Sequence, residues 1–144
     1  MILDELLEFA DAVDISGGAG SALIGDVVDL GVARDIGSGQ PIYLVVNFPV
    51  AVSGGTSIDI QLRSDATATI SPTAGTLHAS TGATAVASLT AGKTFVFALP
   101  LEGNEYEQFL GVTAVRVGTV STADVNAFLT YDPTGWKAYA DAVN

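Results

Sequence analysis

The residues of this chain best suited to moving a proton are its single histidine, His78, and a trio of glutamates, Glu102, Glu105 and Glu107. An imidazole titrates near neutrality, and with a serine and an acid beside it could serve as the base of a hydrolytic triad. His78 lies in a stretch rich in Ser, Thr and Ala, and nothing in the chain resembles the glycine-flanked serine of a nucleophile elbow. A lone surface histidine is the plainer reading. The three glutamates follow the Leu99–Leu101 run, as a glycosidase acid/base pair or a calcium loop would. Their spacing lacks the Asp-x-Asp-x-Asp-Gly order of an EF-hand, and aromatic residues that could grip a sugar make up only 8% of the chain. A solvated turn is the plainer reading of them. Asp26 and Asp29 could hold an ion together with a partner chain, or could simply face solvent. No catalytic residue, metal ligand or cofactor is assigned.

Other residues suit contact better than catalysis. Arg34 and Asp35 form an adjacent pair of opposite charges inside a connection that also holds Gly37, Gly39 and Pro41. Such a pair can cap local backbone groups or make charge-assisted hydrogen bonds across an interface. Trp136 and Tyr139 lie past the last expected strand, where aromatics either anchor on a partner or fold back over their own domain. At the other end Ile2, Leu3, Leu6 and Leu7 give the N-terminal segment an apolar surplus. These eight residues, Ile2, Leu3, Leu6, Leu7, Arg34, Asp35, Trp136 and Tyr139, are the candidate interface set.

The elements that must position them read as strands. Ser57–Ser64 alternates cleanly, with Ile58, Ile60 and Leu62 on one face and Asp59, Gln61 and Arg63 on the other. Ile42–Phe48 is nearly continuously apolar, as expected of a strand covered on both faces. Further strands are expected at Leu23–Leu30, Ala68–Ile70, Leu77–Ala79, Thr84–Leu89, Lys93–Leu99, Phe109–Val117 and Val125–Tyr131. Phe95 and Phe97 share a face. Residues 2–13 carry apolar and acidic groups at a spacing that fits a short amphipathic helix, the alternative being an extended docking arm. Asp14–Ser21 reads as a flexible glycine-rich connector. Seven or eight strands at this spacing, with no helices between them, predict an all-β antiparallel sandwich, jelly roll or barrel in one domain. Its expected parts are an N-terminal segment and connector (1–21), a β core (22–131) and a tail (132–144).

Composition narrows the function classes. The net charge is −11, with 16 acidic residues against 5 basic ones. Arg34, Arg63, Lys93, Arg116 and Lys137 are scattered singly, so the chain lacks the basic stripe that a phosphate backbone requires. No apolar run approaches the length of a membrane span, and the acidic N-terminus is unlike a secretory signal. There is no cysteine, hence no disulfide framework and no thiolate metal site. Apolar residues reach 49% and mean hydropathy is +0.46, a surplus for so small a domain that suggests surface buried against partners.

Several segments resemble a known family. Met1-Ile-Leu-Asp4, Asp29-Leu-Gly-Val-Ala-Arg-Asp-Ile-Gly37 and Pro41-Ile-Tyr-Leu-Val-Val46 are similar to the capsid cement, or decoration, proteins of tailed bacteriophages, closest to the Bordetella-phage type. Asn104-Glu105 ahead of Phe109-Leu110, and Asp132-Pro133 with Trp136 and Tyr139, extend the likeness, whereas residues 64–90 are not distinctive. The resemblance implies a jelly-roll-like fold and a non-enzymatic role. Such proteins bind the exterior of the expanded head, bridging major capsid protein subunits, and they self-associate as dimers or, in other cement families, trimers. It implies no catalytic residue, no cofactor and no nucleic-acid or membrane partner. A carbohydrate-binding β-sandwich of viral adhesin type is the alternative, and it requires an exposed aromatic platform that Tyr43, Phe95 and Phe97 would have to supply.

Overall fold

The computed structural model describes residues 5–33, 40–99 and 106–133. A single 3-10 turn at Glu5–Leu7 leads into eleven strands: β1 (Glu8–Asp14), β2 (Gly20–Asp29), β3 (Tyr43–Phe48), β4 (Ser53–Gly54), β5 (Ser57–Asp65), β6 (Thr76–Ser80), β7 (Thr84–Ala85), β8 (Lys93–Ala98), β9 (Phe109–Val117), β10 (Val120–Thr122) and β11 (Asp124–Thr130). Every pairing is antiparallel. The eight longer strands form two four-stranded sheets of order β1-β11-β3-β8 and β2-β9-β5-β6, with β4 and β10 as a small flap and β7 capping β5. Successive long strands switch sheets except at the β5–β6 hairpin, which is the connectivity of a jelly roll.

Alternation of side chains builds the core. In the second sheet Ile58, Ile60 and Leu62 of β5 are buried beside Leu110, Val112 and Ala114 of β9. In the first, Leu44, Val46 and Phe48 of β3 meet them with Val125, Ala127 and Leu129 of β11 and with Phe9 of β1. Fully burying one such side chain stabilises the fold by roughly 1.5–3 kcal/mol. The continuous apolar run of β3 is explained by its place between β11 and β8: Val45 and Asn47, on the opposite face from Leu44 and Val46, are fully buried as well.

Four local expectations are corrected. Residues 8–13 are not helical; they belong to β1, an edge strand of the first sheet, so the β core starts at Glu8 rather than residue 22. The β1–β11 register shifts twice, between Glu8 and Ala10 and between Ala10 and Val13, and Ala12 has φ +46°. Bulges erase the two-residue alternation, which is why the strand looked helical. Of the rest of that expected helix, Glu5–Leu7 is the 3-10 turn and residues 2–4 lie outside the described residues. The Asp14–Ser21 connector is held rather than free. Ile15 and Gly17 bond to the main chain at Ala123 and Val120, and Arg116 donates Nη1 to the carbonyls of Ile15 (3.1 Å) and Ser16 (2.9 Å). Ala68–Ile70 is turn rather than strand, with buried Ile70 lying against Gly111 of β9. Of the expected Thr84–Leu89 strand only β7 is extended; Val86–Ser88 is a 3-10 turn.

Candidate functional site

The strand registers define two poles of the sandwich. At one, the first sheet ends on Glu8, Thr130, Tyr43 and Ala98, and the second on Asp29, Phe109 and Asp65. Glu8 lies beside Asp26, joining the two sets into one end of the molecule. Glu5, Ala33, Gln40, Leu99, Tyr106 and Pro133 stand within a few residues of these strand ends. The candidate interface residues Ile2, Leu3, Arg34, Asp35, Trp136 and Tyr139 themselves lie outside the described residues, as do Glu102 and Glu105.

Leu6 and Leu7 are described, and they part company. Leu7 packs against the core, while Leu6 is 79% exposed. Val32, just after β2, and Tyr131, just after β11, are 59% and 55% exposed. These are the three most exposed large apolar side chains among the described residues, and all three belong to this pole. Single exposed apolar groups are ordinary; these three are the most exposed of their kind among the described residues.

Between the two sheet edges here runs a groove of about 750 Å³, lined by Glu5, Leu6, Leu7, Glu8, Asp26, Val27, Val28 and Asp29. Beside it β1 and β2 approach closely at Gly25, whose φ of +63° and missing side chain admit the carbonyl of Phe9. Asp29 is satisfied by the N–H of Gly31 (2.7 Å) and by Gln108 Nε2 (3.1 Å), so it braces the exit of β2. Partial burial, with Asp11, Glu5 and Asp26 nearby, holds the Glu8 carboxyl above the usual carboxylate range. The three described cations are engaged elsewhere. Arg63 bonds Gln61 and the Gly75 carbonyl, Arg116 the connector, and the Lys93 ammonium sits 5.2 Å from the centre of the Phe95 ring.

A second cluster also sits at this pole. Ser64, the inward position after Leu62 on β5, is fully buried, and its hydroxyl lies 2.7 Å from His78 Nε2 and 3.2 Å from Glu107 Oε2. The Glu107 N–H donates to the same oxygen at 3.2 Å, and His78 stacks on buried Tyr106 with ring centres 4.1 Å apart. The tautomer that places every proton runs from His78 Nε2–H to Ser64 and from the Ser64 hydroxyl to Glu107. His78 Nδ1 is buried without a partner, so protonating it would strand an N–H in the interior. Burial accordingly lowers the His78 pKa, with Glu107 opposing weakly in second place. In a hydrolytic triad the carboxylate orients the imidazole; here it bonds to the serine, and the serine is inside. The geometry is that of a brace tying β5, β6 and the segment before β9. Sequence reasoning had set His78 aside and missed Ser64 and Tyr106. The signal for Ser64 was available, since the Ile58, Ile60, Leu62 alternation continues onto it.

Among the described residues no group of His, Asp or Glu is placed to hold a metal ion. Phe95 and Phe97 of β8 are half-buried against the core, their rings nearly parallel with centres 6.3 Å apart.

Fold and site together define a jelly-roll sandwich with exposed apolar and acidic side chains at one pole. The chain belongs to the Bbp16 family, a Bordetella-phage protein family, whose model matches residues 9–129 and so takes in almost the entire sandwich. No curated protein matches it.

Proposed function

We propose that this protein is a capsid cement protein, binding the outside of an expanded phage head and stabilising contacts between major capsid protein subunits. The observation that carries the reading is the exposure of Leu6, Val32 and Tyr131 at one pole of the sandwich. Membership of a phage family supports it, as does an acidic surface with no attraction for packaged DNA. Symmetry repeats each contact over the whole shell, so individually weak contacts resist internal pressure collectively. Self-association, with a dimer as the expected form, would present two such poles at once. On this reading the protein acts without catalysis or cofactor, on the virion exterior.

The test is co-sedimentation with expanded, DNA-free cognate shells. Wild type should bind saturably, and Leu6→Ser, Arg34→Ala/Asp35→Ala and truncation after Pro133 should each weaken binding while the protein stays folded. Failure of wild type to bind any cognate shell overturns the reading.

A further inference from the structure

The groove between the Glu5–Leu7 turn and the end of β2 has an apolar floor, with Leu6, Val27 and Val28, under a rim of Glu5, Glu8 and Asp26. No described cation faces these three carboxylates. Glu8 in particular is held among like charges and partly desolvated, an arrangement that costs stability in the free protein. An apolar surface rimmed by described charge of one sign selects a partner of opposite charge and similar apolarity. A second copy would bring acid against acid. Residues 1–4 of this chain add Asp4 and no basic side chain.

We propose that this groove receives an extended protein segment in which lysine or arginine alternates with apolar residues, a segment that the cement reading places on the major capsid subunit. An extended chain has the right form: successive side chains point to opposite sides, so its apolar groups can lie on Leu6 and Val28 while the alternate cations reach the rim. Both flanking strands, β1 and β2, are sheet edges and so border the groove with main-chain groups not used within their own sheets.

The proposal is tested with a fluorescent alternating leucine–lysine decapeptide as probe, measured by anisotropy at moderate salt, beside the shell assay. Three proteins are compared: wild type, Glu8→Gln/Asp26→Asn, and a control, Asp14→Asn/Asp124→Asn. The control removes the same charge from the far end of the β1–β2 and β1–β11 region, where Asp14 and Asp124 pair. Saturable binding to wild type and control, weakened about tenfold or more in the groove variant, is the expected result. Leu6→Ser should also weaken it, and a leucine–glutamate peptide should not bind. Equal affinity of groove variant and control, or no saturable binding by wild type, overturns the proposal. So does a groove variant that loses self-association while wild type ignores the peptide, since the occupant is then a second copy. If wild type binds shells and the groove variant binds them equally well, the groove falls and the cement reading stands. If wild type binds no shell, that reading falls and the peptide measurement still decides the groove.

Discussion

The Ser64 hydroxyl lies 2.7 Å from His78 Nε2, and the same oxygen accepts the main-chain N–H of Glu107 at 3.2 Å, so one buried atom joins β5, β6 and the approach to β9. Removing it strands a main-chain donor and an imidazole in the interior. Ser64→Ala is expected to cost about 1–3 kcal/mol, read as a lower urea midpoint with an unchanged slope. An unchanged midpoint would show that the brace is unimportant.

The His78 imidazole adds a pH dependence. Its pKa is lowered in the folded protein, so between that value and the ordinary one near 6.5 the unfolded chain binds more protons. Stability from this group is therefore complete above about pH 6.5 and is lost as pH falls through the lowered value. In His78→Phe, which keeps a ring against Tyr106, the midpoint should fall less steeply than in wild type over that window. Parallel curves for the two proteins would refute the assignment.

Glu8 has the opposite sign. Its raised pKa means that the folded protein binds more protons between the ordinary value of 4.5 and the raised one, so ionisation of Glu8 opposes folding at neutral pH. Glu8→Gln should melt slightly higher than wild type at pH 7, with the gain fading as pH falls through the raised value towards 4.5 and absent below it, where both states are protonated. A variant that melts lower at pH 7 would mean Glu8 has a stabilising partner.

At Gly25 the backbone leaves no room. A Cβ there would stand 1.8 Å from the Phe9 carbonyl oxygen, at a φ of +63°. Gly25→Ala must part β1 from β2 and should cost about 3–5 kcal/mol. Gly92 is the comparison, with φ +81° and open space around it, and Gly92→Ala should cost only about 1–2 kcal/mol. Thermal melts of the two variants, side by side, measure the difference.

What could be read in advance depended on how regular each strand is. β5 alternates without interruption and was placed within one residue; β3 and β9 stood out because burial on both faces makes a long apolar run. β1 was misread because two bulges let buried Phe9 and Ala10 sit side by side. Ala68–Ile70 was misread because β propensity carries no record of whether a partner strand is present, and Ile70 is buried by lying on Gly111 without pairing.

The candidate site divides the same way. The apolar character of Leu6 and the acidity of Glu5, Glu8 and Asp26 are properties of the residues themselves, and alternation along the strands makes the all-β class legible; the phage family showed only in the likeness of longer segments such as 29–37 and 41–46. Whether Leu6 faces out while Leu7 faces in depends on the turn that carries them. That Glu8 meets Asp26, and Ser64 meets His78 and Glu107, depends on strand order, because jelly-roll connectivity sets neighbours far apart in sequence edge to edge. Side-chain chemistry is local and is written in each residue; charge pairing, burial and the grouping of exposed apolar groups at one pole depend on distances that exist only once the two sheets have closed.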